Sequence, residues 1–600
     1  MKPGVDLGLG SVAPETANVG AESSMKGRSA IAWSSLLRWS PVLILGFFVL
    51  YPLGMLVFGA FWSAARITQP GHLTFAVIAN VLQDPAVHQV IWNTIVVSLG
   101  ATVISVFIGA PLAWLSIRTD MPGRSLVRTA TLLPFFTSTV LVGISWALLL
   151  SPQIGVLNRA LVWFGLAPLN VFSLLGLTLV TGLYHVPYVY LFASASFRSM
   201  DASLEESSQI TGASVFTTMR RITLPLMLPS ITSAALLVAV SSMGLFGIAA
   251  ILGTPQGVFI LPNYIQRLIS VYPAKYNSAA AVAVCLIALA FVLVFLQKLA
   301  TNREKKYITV TGKSARVRQV ALGRWRWPSA ALYATFLFVA VGLPFAVLVI
   351  ASLSPFWSPT VNWSQLSLVQ FREIFFGDMS GRFFNAFVNS IILSVSAATL
   401  SIFLCLGVAW NVHRSNRGGR AVAEIITMIP VAIPGIVFGI AFLWAWIRFP
   451  IQIYGTLWIL IIAYLTRTTP HSTRVIGSSL QQISRDLEEA AAVVGATWLQ
   501  IIRRIILPIL LPGLIAAWSF VFVLSLKELN TSILLVTPSS NVLSTLIYDV
   551  YQEGSFATLS ALVLIQAVMA AVALALLDSV AARISTSTNK TADGGPALGA

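Results

Sequence analysis

The sequence predicts an all-α membrane protein, with twelve transmembrane helices arranged as a parallel 6+6 tandem repeat. Three observations carry that prediction. Charged residues make up 10% of the 600 positions and hydrophobic ones 57%, whereas a soluble domain carries roughly 25% charged residues. Twelve apolar runs approach the length of about 20 residues that a bilayer-crossing helix needs. Two polar segments, beginning at Asp201 and Ser484, share twelve of 31 residues without a gap, and a repeat of that kind fixes the architecture before any single residue is weighed.

The runs lie near 41–61, 93–115, 130–150, 171–193, 229–252 and 279–297, then near 330–352, 389–410, 425–446, 454–466, 512–535 and 557–577. The first is too long for a signal-peptide core and lacks a cleavage site, so it is expected to remain as an anchor. The tenth is the weakest, because Thr466-Arg467-Thr-Thr-Pro470-His471 interrupts it; a polar, kinked helix end is expected there. With the N-terminus in the cytosol, cytosolic segments hold 29 of the 37 Lys and Arg, external loops seven and the membrane one, Lys527. The opposite topology would violate the positive-inside rule. The net charge of +17 is therefore topological, and no nucleic-acid partner is implied.

Residues 1–30 and 581–600 are rich in small and polar residues without apolar periodicity and are read as disordered cytosolic tails. Between them lie a first half of six spans (31–300), a basic cytosolic linker (301–328) and a second half of six spans (329–580). The linker carries eight basic residues, among them Lys313 and Arg324, and attraction to lipid headgroups explains them. The duplication extends beyond the polar segments. Asn93-Thr94, Trp114, Arg118, Gly123-Arg124, Pro134 and Gly143 match Asn389-Ser390, Trp410, Arg414, Gly419-Arg420, Pro430 and Gly439. Six spans return the chain to the same side, so both halves share one orientation and a pathway is expected at their interface.

Each repeated segment reads as helix, turn, helix. Ser203 with Glu206, and Asp486 with Glu489, have the spacing of a capping box, and their carboxylates stand at the positive end of the helix dipole. Gly212 and Gly495 follow six residues after Glu206 and Glu489, where a left-handed C-cap needs glycine. Ser214 and Thr497 can cap a second short helix, which ends in Arg220-Arg221 and Arg503-Arg504 before Leu-Pro re-enters the membrane.

Glu-Ala-Ala, then Gly, then Ile and Leu-Pro, resembles the cytoplasmic loop of permeases in binding-protein-dependent ABC importers. The resemblance implies the type I importer permease (MetI-like) fold, with two permease halves fused in one chain. It implies that the loops dock on an ATPase through Glu205, Glu206, Gly212, Arg220 and Arg221, and through Glu488, Glu489, Gly495, Arg503 and Arg504. The first copy has Ser207-Ser208 where the family prefers Ala-Ala. The implied partners are two copies of a cytosolic ABC ATPase subunit, an extracytoplasmic solute-binding protein and the lipid bilayer. The implied location is the bacterial inner membrane, with both termini cytosolic.

The chain shows no enzyme chemistry of its own. Thr311-Gly312-Lys313-Ser314 approaches a phosphate-binding loop, but the glycine required five residues before Gly312 is Tyr307. Asp84 and His88 are the one ligand-like spacing among the histidines, two ligands where zinc needs three or four. No catalytic residue, metal site or cofactor is expected. A major facilitator carrier is the rival, because it too has six plus six spans. Its signature is matched in part by Asp120-Met-Pro-Gly123-Arg124 and Asn416-Arg-Gly-Gly419-Arg420, but the opening Gly is Ser116 and Val412.

Lys527-Glu528 lies about 15 residues past Pro512, ~22 Å along a helix at 1.5 Å per residue. Charges within a span are costly and usually face a bundle interior or wet cavity, so the pair is a candidate for the pathway or for a helix-locking ion pair. Its first-half counterparts are Gly244 and Leu245. The words from Gly244 to Pro255 and from Leu526 to Leu535 resemble those of fused Fe(III)-type importer permeases. Ala249 and Asn530 stand where that family has proline. The resemblance implies ferric iron as cargo, with thiamine, aminoethylphosphonate or polyamine as alternatives.

Overall fold

In the computed structural model, which describes residues 19–301, 319–414 and 419–593, the apolar runs are helical and share one buried cluster reaching from Leu56 to Val563. Among the described residues nine helices are long and apolar enough to cross a membrane: Trp39–Ala60, Pro85–Arg118, Leu174–Ser199, Val215–Met243, Tyr276–Leu296, Gly323–Leu353, Ser380–His413, Ile502–Leu526 and Phe556–Leu577. They account for the expected spans except the third, ninth and tenth. The tenth is one continuous, more polar helix, Leu457–Gln481. No strand occurs among the described residues beyond two isolated bridges.

The third and ninth spans are each broken in two. Arg124–Phe136 is followed by Thr139–Leu150, and Arg420–Ala432 by Gly435–Ile447, the latter pair bent by 110°. In the ninth, Pro434 forces the preceding Ile433 to extended backbone (φ −103°, ψ 121°), as a residue before proline prefers. In the third, Ser138 stands at the equivalent place and caps the new helix by accepting from the Val140 N–H. Gly143 and Gly439 sit where these helices press on the other side of the same half. A Cβ on Gly143 would lie 2.9 Å from Ile251, and one on Gly439 2.9 Å from the Thr531 carbonyl.

The expected fifth and eleventh spans are displaced. The helices Leu224–Met243 and Leu507–Leu526 stop at matching positions, Gly244 and Lys527. In the first half the chain continues through Gly247–Gln256 and Leu261–Ser270, bent by 72°. Hydropathy alone cannot register such a break, because the apolar run continues through it. The far helices are held by the pairs that matched in sequence. Asn93 donates to the Phe259 carbonyl and Thr94 Oγ1 accepts from the Leu261 N–H, while Asn389 donates to the Asn541 carbonyl and Ser390 Oγ accepts from the Leu543 N–H.

The halves are separate in sequence but interleaved in space. The first span packs on the second half, with Val42, Leu45 and Val49 clustered against Val408, Val412 and Ala423. The seventh span reciprocates by packing on the broken third span of the first half, where the Tyr333 and Thr131 hydroxyls meet at 2.7 Å. Helix enters both stretches read as tails, over 19–30 and 581–593, as a continuation of the adjoining span. Propagating a helix that already exists costs far less than nucleating one. Of the linker, 302–318 lies outside the described residues. Its end is tied down, with the Val320 N–H donating to the Arg118 carbonyl at 2.7 Å and the Leu322 N–H to Asp120 Oδ1 at 2.9 Å.

Candidate functional site

The two repeated segments fold alike. Ala202–Ile210 and Asp486–Val493 each end in a reversal at a glycine with positive φ, Gly212 at +84° and Gly495 at +83°. The turn is a Schellman motif in both copies. The N–H groups of Gly212 and Ala213 donate to Gln209 and Ser208, and those of Gly495 and Ala496 to Ala492 and Ala491. This pairing satisfies carbonyls that a helix end otherwise leaves open.

The expected capping boxes do not form. Asp201, two residues before Ser203, takes the first cap by accepting from the Ser203 N–H, and Ser484 Oγ accepts from the Asp486 N–H. Short polar side chains capture nearby N–H groups readily, so each helix starts earlier than the spacing suggested. Ser214 caps the second helix as expected, accepting from Thr217. At the other copy the Gln500 side chain reaches back to the Thr497 N–H.

Arg220-Arg221 and Arg503-Arg504 do not end a helix. They lie within π-helical turns, Met219–Thr223 and Ile502–Ile506, that run directly into the fifth and eleventh spans. The Leu224 N–H donates to Met219 and the Leu507 N–H to Ile502, five residues back in each case. The cause is the next residue, Pro225 or Pro508. Proline lacks an N–H and its ring clashes with the carbonyl four residues back, and widening the preceding turn relieves both problems. Phe338–Gly342 before Pro344 repeats the device. All four arginines are exposed, as are Glu206 and Glu489.

Glu205 and Glu488 face the other way. Glu205 is buried, accepts from Arg118 at 2.9 Å and takes the Thr223 hydroxyl at 2.8 Å. Glu488 lies 3.2 Å from Arg414, whose guanidinium also donates to the carbonyls of Leu480 and Ile483. Arg118 and Arg414 end the second and eighth spans. Both had matched in the duplication without a role. The acidic doublet thus divides its work, one carboxylate anchoring the loop and the next facing outward.

A cavity of about 220 Å³ lies between the halves. Six helix ends frame it: the C-termini at Phe136, Met243, Ala432 and Leu526, and the N-termini at Thr139 and Gly435. Lys527 and Glu528 both line it. They lie just past the end of the helix Leu507–Leu526, and Glu528 pairs with Arg467. Glu528 Oε1 also accepts from the Thr531 N–H and hydroxyl. Arg467 lies against Gly435, where a Cβ would come within 2.8 Å of its guanidinium carbon. Sequence reasoning met Arg467 only as an interruption of the tenth span.

The cavity's charge is one-sided. Arg467, His471, Lys527 and Glu528 come from the second half, and their counterparts in the first are Tyr184, Tyr188, Gly244 and Leu245. Asn530 closes the interface by accepting from the Phe246 N–H.

Residues 101–306 and 401–590 each match the family described as binding-protein-dependent transport system inner membrane component. The chain is 25% identical over 524 residues to the ferric transport system permease protein FbpB of Actinobacillus pleuropneumoniae, covering 86% of this chain and 74% of that one. It is 26% identical over 509 residues to the putative ferric transport system permease protein FbpB 1 of Haemophilus influenzae, covering 84% and 78%. Against the putative 2-aminoethylphosphonate transport system permease protein PhnV of Salmonella typhimurium it is 26% identical over 260 residues, 43% of this chain and 95% of that one. The doubled family match replaces the secondary-carrier alternative.

Proposed function

Since the chain belongs to the family of binding-protein-dependent transport system inner membrane components, a family of non-catalytic multi-pass permeases, we propose that it passes ferric iron from an extracytoplasmic binding protein to the cytosol by alternating access. Two copies of a separate cytosolic ATPase would supply the energy, and both termini would lie in the cytosol. The observation that carries this reading is the pair of helix–turn–helix loops, in register 283 residues apart, that expose Glu206, Glu489 and both arginine pairs.

The geometry supplies a lever. Each loop continues through a π turn into the fifth or eleventh span, and Glu205 or Glu488 ties it to the end of the second or eighth. The second span carries Arg118 near one end and Asn93-Thr94 near the other, ~37 Å apart at 1.5 Å per residue. Asn93 and Thr94 hold the far helix Leu261–Ser270. Closure of the ATPase pair would therefore move a loop, two spans and the helix beyond the break together, opening the cavity to one side or the other.

Cargo identity rests on the FbpB relatives; the PhnV relative favours a phosphonate as the second reading. The test is ATP-dependent uptake of ⁵⁵Fe(III) and of labelled 2-aminoethylphosphonate by proteoliposomes holding the full chain with its ATPase and binding protein. Iron entry that stops on removing ATP supports the first reading. Phosphonate entry without iron replaces it with the second.

A further inference from the structure

We propose that cargo crosses the cavity between the halves as an oxyanion, or as a metal complexed by one, and not as a bare cation. The proposal rests on the reading of that cavity as the transport site. Helix ends do not make it positive: the C-termini at Phe136 and Ala432 meet the N-termini at Thr139 and Gly435, and the C-termini at Met243 and Leu526 add partial negative charge. Side chains decide. The walls carry two basic side chains, Arg467 and Lys527, against one carboxylate, Glu528.

That carboxylate is already engaged, since its Oε1 receives Arg467 and both Thr531 donors. A bare trivalent cation seeks several hard oxygen ligands, usually carboxylates. Here it would meet one shared carboxylate and two like charges in a site of low dielectric, where repulsion is far stronger than in water. An oxyanion meets the reverse. Arg467, whose Nη1 is held by Glu528 and Thr531, presents the rest of a planar fork suited to carboxylate or phosphate, Lys527 adds a second basic group, and Thr139, Tyr184, Tyr188 and Ser241 line the remaining wall. A ferric ion would then cross with its charge already offset by a bound carboxylate or phosphate.

Two measurements test this. In the first, the detergent-solubilised full chain is melted with millimolar phosphate, citrate or 2-aminoethylphosphonate, and separately with spermidine or thiamine. At least one oxyanion is expected to raise the midpoint by a few degrees in the wild type and not in Lys527→Met or Lys527→Gln. No shift from any oxyanion, an equal shift in both variants, or a shift from the cations alone overturns the proposal. In the second, the proteoliposomes described above receive binding protein loaded with ⁵⁵Fe(III) and either ³³P-phosphate or ¹⁴C-citrate. Iron entering with one anion label supports the proposal, and iron entering with neither overturns it. An oxyanion that stabilises the chain and enters while iron does not leaves the proposal standing and removes only the ferric reading.

Discussion

Arg118 and Glu205 meet at 2.9 Å, with the guanidinium wholly buried and the carboxylate side chain 7% exposed. Their counterparts, Arg414 and Glu488, meet at 3.2 Å with the carboxylate 22% exposed. The first carboxylate also holds the Thr223 hydroxyl, and the matching residue in the second half is Ile506. One loop is clamped in a dry contact of three side chains, and its twin in a wetter contact of two side chains whose arginine also holds the Leu480 and Ile483 carbonyls.

The two clamps should therefore fail differently. Arg118→Ala leaves a buried carboxylate without its counter-charge, a loss on the order of 3–5 kcal/mol. Arg414→Ala leaves Glu488 partly in contact with water, and a loss of about half that is expected after screening. Denaturation midpoints of both variants in detergent, read beside ATPase co-purification, check this. Equal losses would show that the asymmetry has no energetic consequence.

Gly212 and Gly495 are required for backbone conformation and not for space, because a Cβ at either meets nothing within 4 Å. Gly495→Val should cost at least 1–2 kcal/mol from the left-handed conformation, more for a β-branched residue. Gly495→Asn should cost less, since Asn tolerates that region. Valine is expected to reduce ATPase retention and uptake with membrane insertion intact, and asparagine to restore most of both. Equal retention in the two variants would separate the turn from docking.

Much of this was legible because duplication marks positions that neither half can change alone. Asn93-Thr94 and Asn389-Ser390 matched in sequence and turn out to hold the helices beyond the breaks. Gly143 and Gly439 matched and prove to be close approaches. What stayed hidden was long-range pairing. Arg118 and Glu205 were both noted, yet nothing local joins residues 87 positions apart. The breaks at Gly244 and Lys527 were hidden for another reason: apolar composition continues across them, and periodicity does not reveal where a helix stops.

Orientation can be checked directly. In a background lacking Cys285 and Cys405, a membrane-impermeant thiol reagent applied from outside should label a cysteine at Gly381, which is exposed, and spare one at Ser314. The basis is the excess of basic residues on the inferred cytosolic side. The reverse pattern would place the coupling loops on the wrong side for a cytosolic ATPase.

The ion pair to dissect in the cavity is Arg467 with Glu528, because Glu528 takes Arg467 as its partner across the gap between the tenth and eleventh spans. Both side chains are partly exposed, at 27% and 15%, so each single replacement by Leu should cost about 2 kcal/mol, less than a fully buried pair. Replacing both removes the unpaired charge and should recover most of the lost melting temperature. Stability and transport then part company. If the pair only joins two helices, uptake returns with stability in the double variant. If Arg467 meets the cargo, the double variant folds, retains the ATPase and still fails to transport. The second outcome is expected, because Arg467 lines the cavity beside Lys527 and its first-half counterpart, Tyr184, carries no charge. Melting temperature and vesicle uptake measured on Arg467→Leu, Glu528→Leu and the double variant decide it, and recovered uptake would reduce the pair to a structural clasp.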